Sequence, residues 1–296
     1  MTPARWILFF APLLSASLLS AQCANDHRTN KNAGILVSDF TITGTQTISA
    51  TDLARITSDM FGSCFDEDSA EMEQRVRASF QERGYFRVEV RSLTFKPRDP
   101  LGVPKPVIME GEVSEGPQYR LTKITFANNH GFSAEELRQQ FPLKLGARME
   151  RGKIASGLES LRQLYATRGY LDFFSIPATT FGSNATAELS ITVEEGPQYH
   201  MGKLDIVTDR DATAARLRTA WKLAEGDVYD NTYIDDYLST AHDLLPANFG
   251  KANIQTVQNC PEAVVNLRFI VDPSQDKSHA EPKNIPCEEK KEKEKK

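Results

Sequence analysis

Val113-Ser114-Glu115-Gly116-Pro117-Gln118-Tyr119 returns 80 residues later as Val193-Glu194-Glu195-Gly196-Pro197-Gln198-Tyr199. Both copies lead into a similar apolar run, Tyr119–Phe126 and Tyr199–Ile206. A pentapeptide and a strand recurring in register mark a duplicated small domain, and the period sets the architecture. The same offset carries Lys123 onto Lys203, Gly146 onto Gly226, Ile154 onto Ile234 and Leu158 onto Leu238. Working backwards, Arg83-Gly84-Tyr85 falls on Arg168-Gly169-Tyr170 at an offset of 85. The first copy therefore holds five extra residues, placed in the proline-bearing stretch Lys96–Pro106. Later, Val193 meets Val271. Three repeats of roughly 80 residues result, each large enough for its own core. Their expected bounds are 34–117, 118–197 and 198–273. A leader (1–21) and a short tail (22–33) precede them, and a charged tail (274–296) follows.

The middle repeat reads most clearly. Leu121, Ile124 and Phe126 form a short strand that ends at Asn128-Asn129-His130-Gly131. Ser133 with Glu136 makes a capping box, and a short helix runs to Gln140 before Pro142 and Gly146 break the pattern. Ile154, Leu158, Leu161 and Leu164 recur at helical spacing, and Gly169 supplies the stop. Two strands follow, Leu171–Phe181 and Ala187–Val193; in the second, Leu189, Ile191 and Val193 alternate with polar residues. The first repeat keeps this order, with Phe86, Val88 and Val90 alternating with Arg87, Glu89 and Arg91. The third keeps it with Asp211 or Thr213 as cap, a helix through Trp221, and Ile234, Leu238 and Leu244 on the second helix. Strand-helix-helix-strand-strand is an α+β fold, with two amphipathic helices covering the apolar face of a three-stranded mixed sheet.

Arg5 precedes an apolar stretch from Trp6 to Leu19 and then Ser20-Ala21-Gln22, the layout of a secretory signal cut after Ala21. Export permits disulfides. The four cysteines, Cys23, Cys64, Cys260 and Cys287, allow three pairings. Cys64 and Cys260 sit in the first and third repeats, so Cys23–Cys64 and Cys260–Cys287 are favoured, each clipping a tail to its nearest domain. The formal charge of −5 leaves no global basic surface for nucleic acid. The five histidines stand singly, with no metal-ligand spacing, and there is no Gly-x-Ser-x-Gly elbow or phosphate-cradling loop. Asp235-Asp236 reads as a solvated pair on a helix. The chain is expected to be non-enzymatic, without cofactor or metal. The last segment ends in mixed charges and is expected to be disordered.

The Val-x-Glu-Gly-Pro-x-Tyr boundaries at 113–119 and 193–199, the Gly-Tyr closing the second helix at 84–85 and 169–170, and the order of elements resemble POTRA (polypeptide-transport-associated) domains. Those are periplasmic modules of outer-membrane assembly factors and two-partner secretion transporters. The third repeat departs from the pattern: it lacks the Gly-Tyr and ends Val271-Asp272-Pro273. In that family such arrays precede a transmembrane barrel. Only 23 residues follow Pro273, against at least eight strands of about ten residues in a barrel, so soluble modules alone are expected.

The resemblance implies an exported protein in the periplasm or at the periplasmic face of the outer membrane. A lipid on Cys23 is the alternative, which Gln22 fits poorly. The resemblance also places the third strand of each repeat centrally, leaving the second as an edge: Phe86–Phe95, Leu171–Phe181 and Asn253–Val257. An edge is a row of unpaired amides and carbonyls to which an extended polypeptide can add. Pro177 blunts the middle edge. Phe86, Val88, Val90 and Leu93 therefore mark the expected docking strand. Gly116-Pro117 and Gly196-Pro197 are the expected junction turns, restricting swing to give a semi-rigid rod. The expected role is a scaffold or chaperone-like adaptor in outer-membrane protein assembly or secretion. Its partners would be an unfolded outer-membrane or secreted polypeptide, or a separate β-barrel assembly protein. The alternative is a structural envelope protein holding a membrane-associated complex together.

Overall fold

The computed structural model describes residues 35–65, 69–99, 101, 105–276 and 283–287. The expected leader and Cys23 lie outside the described residues. The first repeat runs β1 (Ile35–Thr43), α1 (Ala50–Met60), β2 (Cys64–Phe65), α2 (Ser69–Gln81), β3 (Glu89–Pro97) and β4 (Lys105–Ser114). β4 is central, parallel to β1 and antiparallel to β3, and the two-residue β2 joins the far side of β1. A parallel pair needs a crossover, which α1 and α2 supply. Ser49 starts α1 by accepting the Asp52 amide on its hydroxyl. On α2, Met72, Val76 and Phe80 fall four residues apart and are fully buried. They close over Val37 and Phe40 of β1 and Met109 and Val113 of β4. Burying a side chain of this size stabilises by about 1.5–3 kcal/mol.

The second repeat runs β5 (Arg120–Ala127), α3 (Ala134–Gln139), α4 (Arg151–Ala166), β6 (Phe174–Phe181) and β7 (Thr186–Glu194), with strand order β5-β7-β6. The third runs β8 (His200–Val207), α5 (Asp211–Ala220), α6 (Tyr233–Thr240), β9 (Ile254–Asn259) and β10 (Val264–Ile270), with order β8-β10-β9. β10 is parallel to β8 and antiparallel to β9. The α+β pattern is thus used three times, always with the last strand of the repeat in the middle. The chain gathers into two compact units. One holds Met1–Lys123, Leu143–Ile154 and Phe181–Glu188; the other holds Ile124–Pro142, Ala155–Thr180 and Leu189–Lys296. The division runs through the middle repeat.

The capping box is complete, with the Ser133 amide donating to the Glu136 carboxylate at 2.8 Å and the Glu136 amide to the Ser133 hydroxyl at 3.3 Å. Elsewhere the expectations need correction. Neither Asp211 nor Thr213 caps α5: Arg210 holds the cap position, and Asp211 lies in the first turn, where its charge complements the helix dipole. α6 stops after eight residues, which leaves Leu244 on a separate 3₁₀ turn, His242–Leu244. Pro246 drives Leu245 into extended backbone, and the hydroxyls of Ser239 and Thr240 bond back to the Asp236 carbonyl instead of supporting another turn. The C-terminal tail is not structureless throughout. Asp276 pairs with Arg268 at 3.0 Å, and Lys283–Cys287 lies beside β9, where Cys287 forms a disulfide with Cys260. Cys64 is also disulfide-bonded.

Candidate functional site

The repeated pentapeptide is a joint, and each of its residues has a mechanical task. Helices α2 and α4 both end in a Schellman turn: Tyr85 donates to Phe80 and Gly84 to Gln81, as Tyr170 donates to Tyr165 and Gly169 to Ala166. The turn needs a left-handed residue, and Gly84 (φ 87°) and Gly169 (φ 78°) provide it. Gln118 Nε2 then donates to the Arg83 carbonyl at 2.9 Å, and Gln198 Nε2 to the Arg168 carbonyl at 3.0 Å. The Tyr119 amide donates to the Gly84 carbonyl and the Tyr199 amide to the Gly169 carbonyl, both at 2.8 Å. The carbonyls of the same tyrosines accept the amides of Met149 and Tyr229, both at 2.9 Å. One residue therefore bonds backwards to the preceding repeat through its amide and into its own repeat through its carbonyl.

The glutamate of the motif reaches further. Glu115 accepts the Gln46 amide at 2.7 Å, the Thr47 amide, and the Thr47 hydroxyl at 3.0 Å, tying down the loop before α1. Burial raises its pKa, but the bonds from Thr47, its own amide and Gln46 outweigh this and hold the carboxyl below its usual range. Glu195 makes the matching contacts with the amides of His130 and Gly131, at 2.7 and 2.8 Å. The Tyr165 hydroxyl replaces that of Thr47, at 3.0 Å. Burial, with help from this bond to Glu195, pushes the Tyr165 phenol up. The hairpin tips repeat as well: left-handed Ala185 and Ala263 (φ 53° and 51°) accept the amides of Arg120 and His200, both at 2.9 Å.

The second strand of each repeat lies at an edge, but the three edges are unequal. Among the described strands β3 pairs with β4 alone, and it carries a bulge between Val90 and Ser92, which blunts its start. Lys96 and Arg91 pair with Glu110 and Glu112 of β4, at 2.7 and 3.5 Å. Of the expected docking residues, Val90 and Leu93 lie on β3, half-buried against the first core. Phe86 and Val88 precede it. Val88 is buried in that core, and Phe86 packs with Tyr119 and Met149. Their alternation came from core packing before the strand starts. β3 ends on Pro97, beyond the expected edge Phe86–Phe95. β6 contains Pro177 and exposes Phe174 and Ile176.

Among the described residues, Asp172, Cys260 and Cys287 form a group with metal-ligand atoms close together, but both sulfurs are in the disulfide and offer no thiolate. Asp235 pairs with Lys251 at 2.8 Å on the surface. Among the described residues, no helix is long and apolar enough to cross a membrane.

Residues 119–196 match the family model "POTRA: Surface antigen variable number repeat". The match spans the middle repeat with the second copy of the pentapeptide up to its glycine. A "Putative outer membrane protein assembly factor" of Treponema pallidum (strain Nichols) is 25% identical over 183 residues, 61% of this chain. The aligned part is 22% of that relative's length, so the chain spans about a fifth of it. The crystal structure of Haemophilus influenzae BamA POTRA3-5 superposes with a TM-score of 0.55 at 17% identity, covering 81% of this chain and 97% of that one. This likeness is one of fold. Residues 119–196 thus match a POTRA model, and the chain is similar in fold to the BamA POTRA3-5 array.

Proposed function

We propose that this chain is a non-enzymatic periplasmic scaffold, built of POTRA modules at 34–117, 118–197 and 198–273, that holds extended polypeptides by strand addition during outer-membrane protein assembly or secretion. The single observation that carries this reading is the placement of β3. It is an outer strand that pairs with β4 along one side from Ser92 to Pro97, and main-chain groups alternate sides along a strand, so an added strand meets donors and acceptors on the other. Main-chain bonding makes affinity largely indifferent to the client's sequence, as an assembly scaffold requires. The bonded junctions support the reading, because a scaffold needs its edges held in place. An unfolded outer-membrane or secreted polypeptide is the client this chemistry fits, or a segment of a separate β-barrel assembly protein.

The test places photo-crosslinking residues at Ser92 and Thr94 of the exported chain, in place of the buried Val88. Trapping of outer-membrane precursors or an assembly component is the expected result. Probes that trap neither while the chain remains folded refute docking at this edge.

A further inference from the structure

β9 is the outer strand of its sheet, yet its far end is already met by the same chain. Ile285 donates its amide to the Gln258 carbonyl at 2.8 Å and accepts the Cys260 amide at 3.0 Å, a parallel bridge centred on Asn259. Asn284 Oδ1 takes the Gln258 amide at 3.0 Å. These contacts all come from Lys283–Cys287, and the local sequence suits the task. A residue before proline is driven to extended backbone, which presets Ile285 for pairing, and Pro286 has no amide with which to continue. Ile285 is 47% exposed, so apolar burial is not what holds the segment. Main-chain bonds and the Cys260–Cys287 disulfide, with Cα atoms 4.8 Å apart, hold it.

Resting on the strand-addition reading above, we propose that Lys283–Cys287 is a built-in occupant of a second docking edge, on β9. The edge takes an extended polypeptide running parallel to β9, and the disulfide-held segment keeps Gln258–Cys260 closed to it. Backbone groups alternate sides along a strand, so Ile254 and Thr256 present the same edge as Gln258 and lengthen the site. A tethered segment competes at an effective concentration in the millimolar range, above that of most free clients.

Opening is a thiol–disulfide exchange with an external dithiol. Its thiolate attacks the Sγ of Cys287, an exposed residue, and forms a mixed disulfide, while the buried Cys260 leaves as thiolate and takes up a proton. The second thiol of the reductant then displaces Cys287, which is protonated in turn. Two electrons pass to the protein, which gains two thiols as the dithiol closes to its own disulfide.

The test uses the full chain in four forms: oxidised, reduced with dithiothreitol, Cys287→Ser and Ile285→Pro. The Cys287→Ser form separates this bond from the one at Cys64. Ile285→Pro removes the amide given to Gln258 and leaves both cysteines in place. The probe is a fluorescein-labelled decapeptide of alternating valine and threonine, with photo-crosslinkers at Thr256 and, for reference, at Thr94 on β3. The three opened forms should bind it about tenfold more tightly than the oxidised chain and crosslink at Thr256. Amide exchange at Gln258 and Cys260 should speed up by a similar factor. Equal labelling of Thr256 in all forms, with Thr94 labelled, overturns the closure and leaves strand addition standing. Labelling at neither position overturns both, and unchanged amide exchange on reduction overturns the closure by itself.

Discussion

At the junction after the first repeat, Arg148 reaches Asp52 at 3.3 Å, and Glu82 accepts the Gly152 amide at 2.9 Å, capping the start of α4. At the junction after the second, the repeat places Val228 where Arg148 stands and Thr167 where Glu82 stands. Neither the arginine–aspartate pair nor the glutamate cap can form there; the corresponding contact is a backbone bond from Asn231 to Ala166 at 3.2 Å, and the Asp172 carboxylate accepts the Tyr199 hydroxyl at 2.7 Å. The Schellman turn, the glutamine and the tyrosine amide are the same at both, within about 0.2 Å. The comparison separates two kinds of adhesive. Backbone-directed bonds define the joint, whereas the charged side chains that reinforce it differ between the two copies.

Four experiments would break or sharpen that contrast, from the largest effect to the smallest. Alanine at either left-handed glycine is strained, but the surroundings differ. At Gly169 a Cβ would run into the Tyr199 carbonyl, and at Gly84 it would first meet the Arg148 side chain, which can move. Denaturant titration should therefore show a loss of about 3 kcal/mol for Gly169→Ala and about 1–2 kcal/mol for Gly84→Ala. Equal losses would mean that the turns are not loaded differently.

Glu115→Ala leaves the amides of Gln46 and Thr47 without their acceptor, at a cost of about 1–3 kcal/mol. This contribution has a definite pH dependence. The folded pKa is depressed, so the stabilisation is fully present above the unfolded carboxyl value of about 4.3 and fades as pH falls through the folded one. The gap between the native chain and Glu115→Gln, followed by urea melts, should narrow below pH about 4. A gap that widens on acidification would contradict the assignment.

The Arg148–Asp52 pair is only partly shielded, with side chains 30% and 10% exposed. A double-mutant cycle with Arg148→Val and Asp52→Ala should return a coupling of about 0.5–1 kcal/mol that weakens in salt. Zero coupling at low salt would reduce the clasp to coincidence. Last, the fully buried Tyr229 follows the second junction, and its hydroxyl has no hydrogen-bond partner among the described residues. Burial first, then the nearby Asp230, pushes that phenol up to about 12. Tyr229→Phe should change stability by less than about 0.5 kcal/mol or raise it slightly. A clear loss would reveal a partner for the hydroxyl.

Much of this could be read from residues a few positions apart. Ser133 with Glu136, the four-residue spacing along α2, and Gly169 closing α4 are local signals, since capping, helical faces and left-handed stops involve only neighbours. Reading failed where a local pattern had a distant cause. Phe86 and Val88 alternate like a strand but are drawn into packing before β3 begins. Leu244 stands where Leu164 stands in α4, yet Pro246 and the hydroxyls of Ser239 and Thr240 end the helix first. Ile285 was hidden in a charged tail, and its pairing with Gln258 depends on a disulfide spanning 27 residues. A proline after it and a cysteine two positions on were the available clues.

The order of elements, their threefold recurrence and the positions of the turns belonged to the chain itself, because each rests on side-chain periodicity or on a backbone angle that one residue type tolerates. Why Glu, Gln and Tyr recur together was decided only by the fold. Glu115 finds its partners 68 and 69 residues away, and Gln118 finds its carbonyl 35 residues away. Such contacts exist only once the loop between them has closed, and no spacing along the chain specifies which loop that will be.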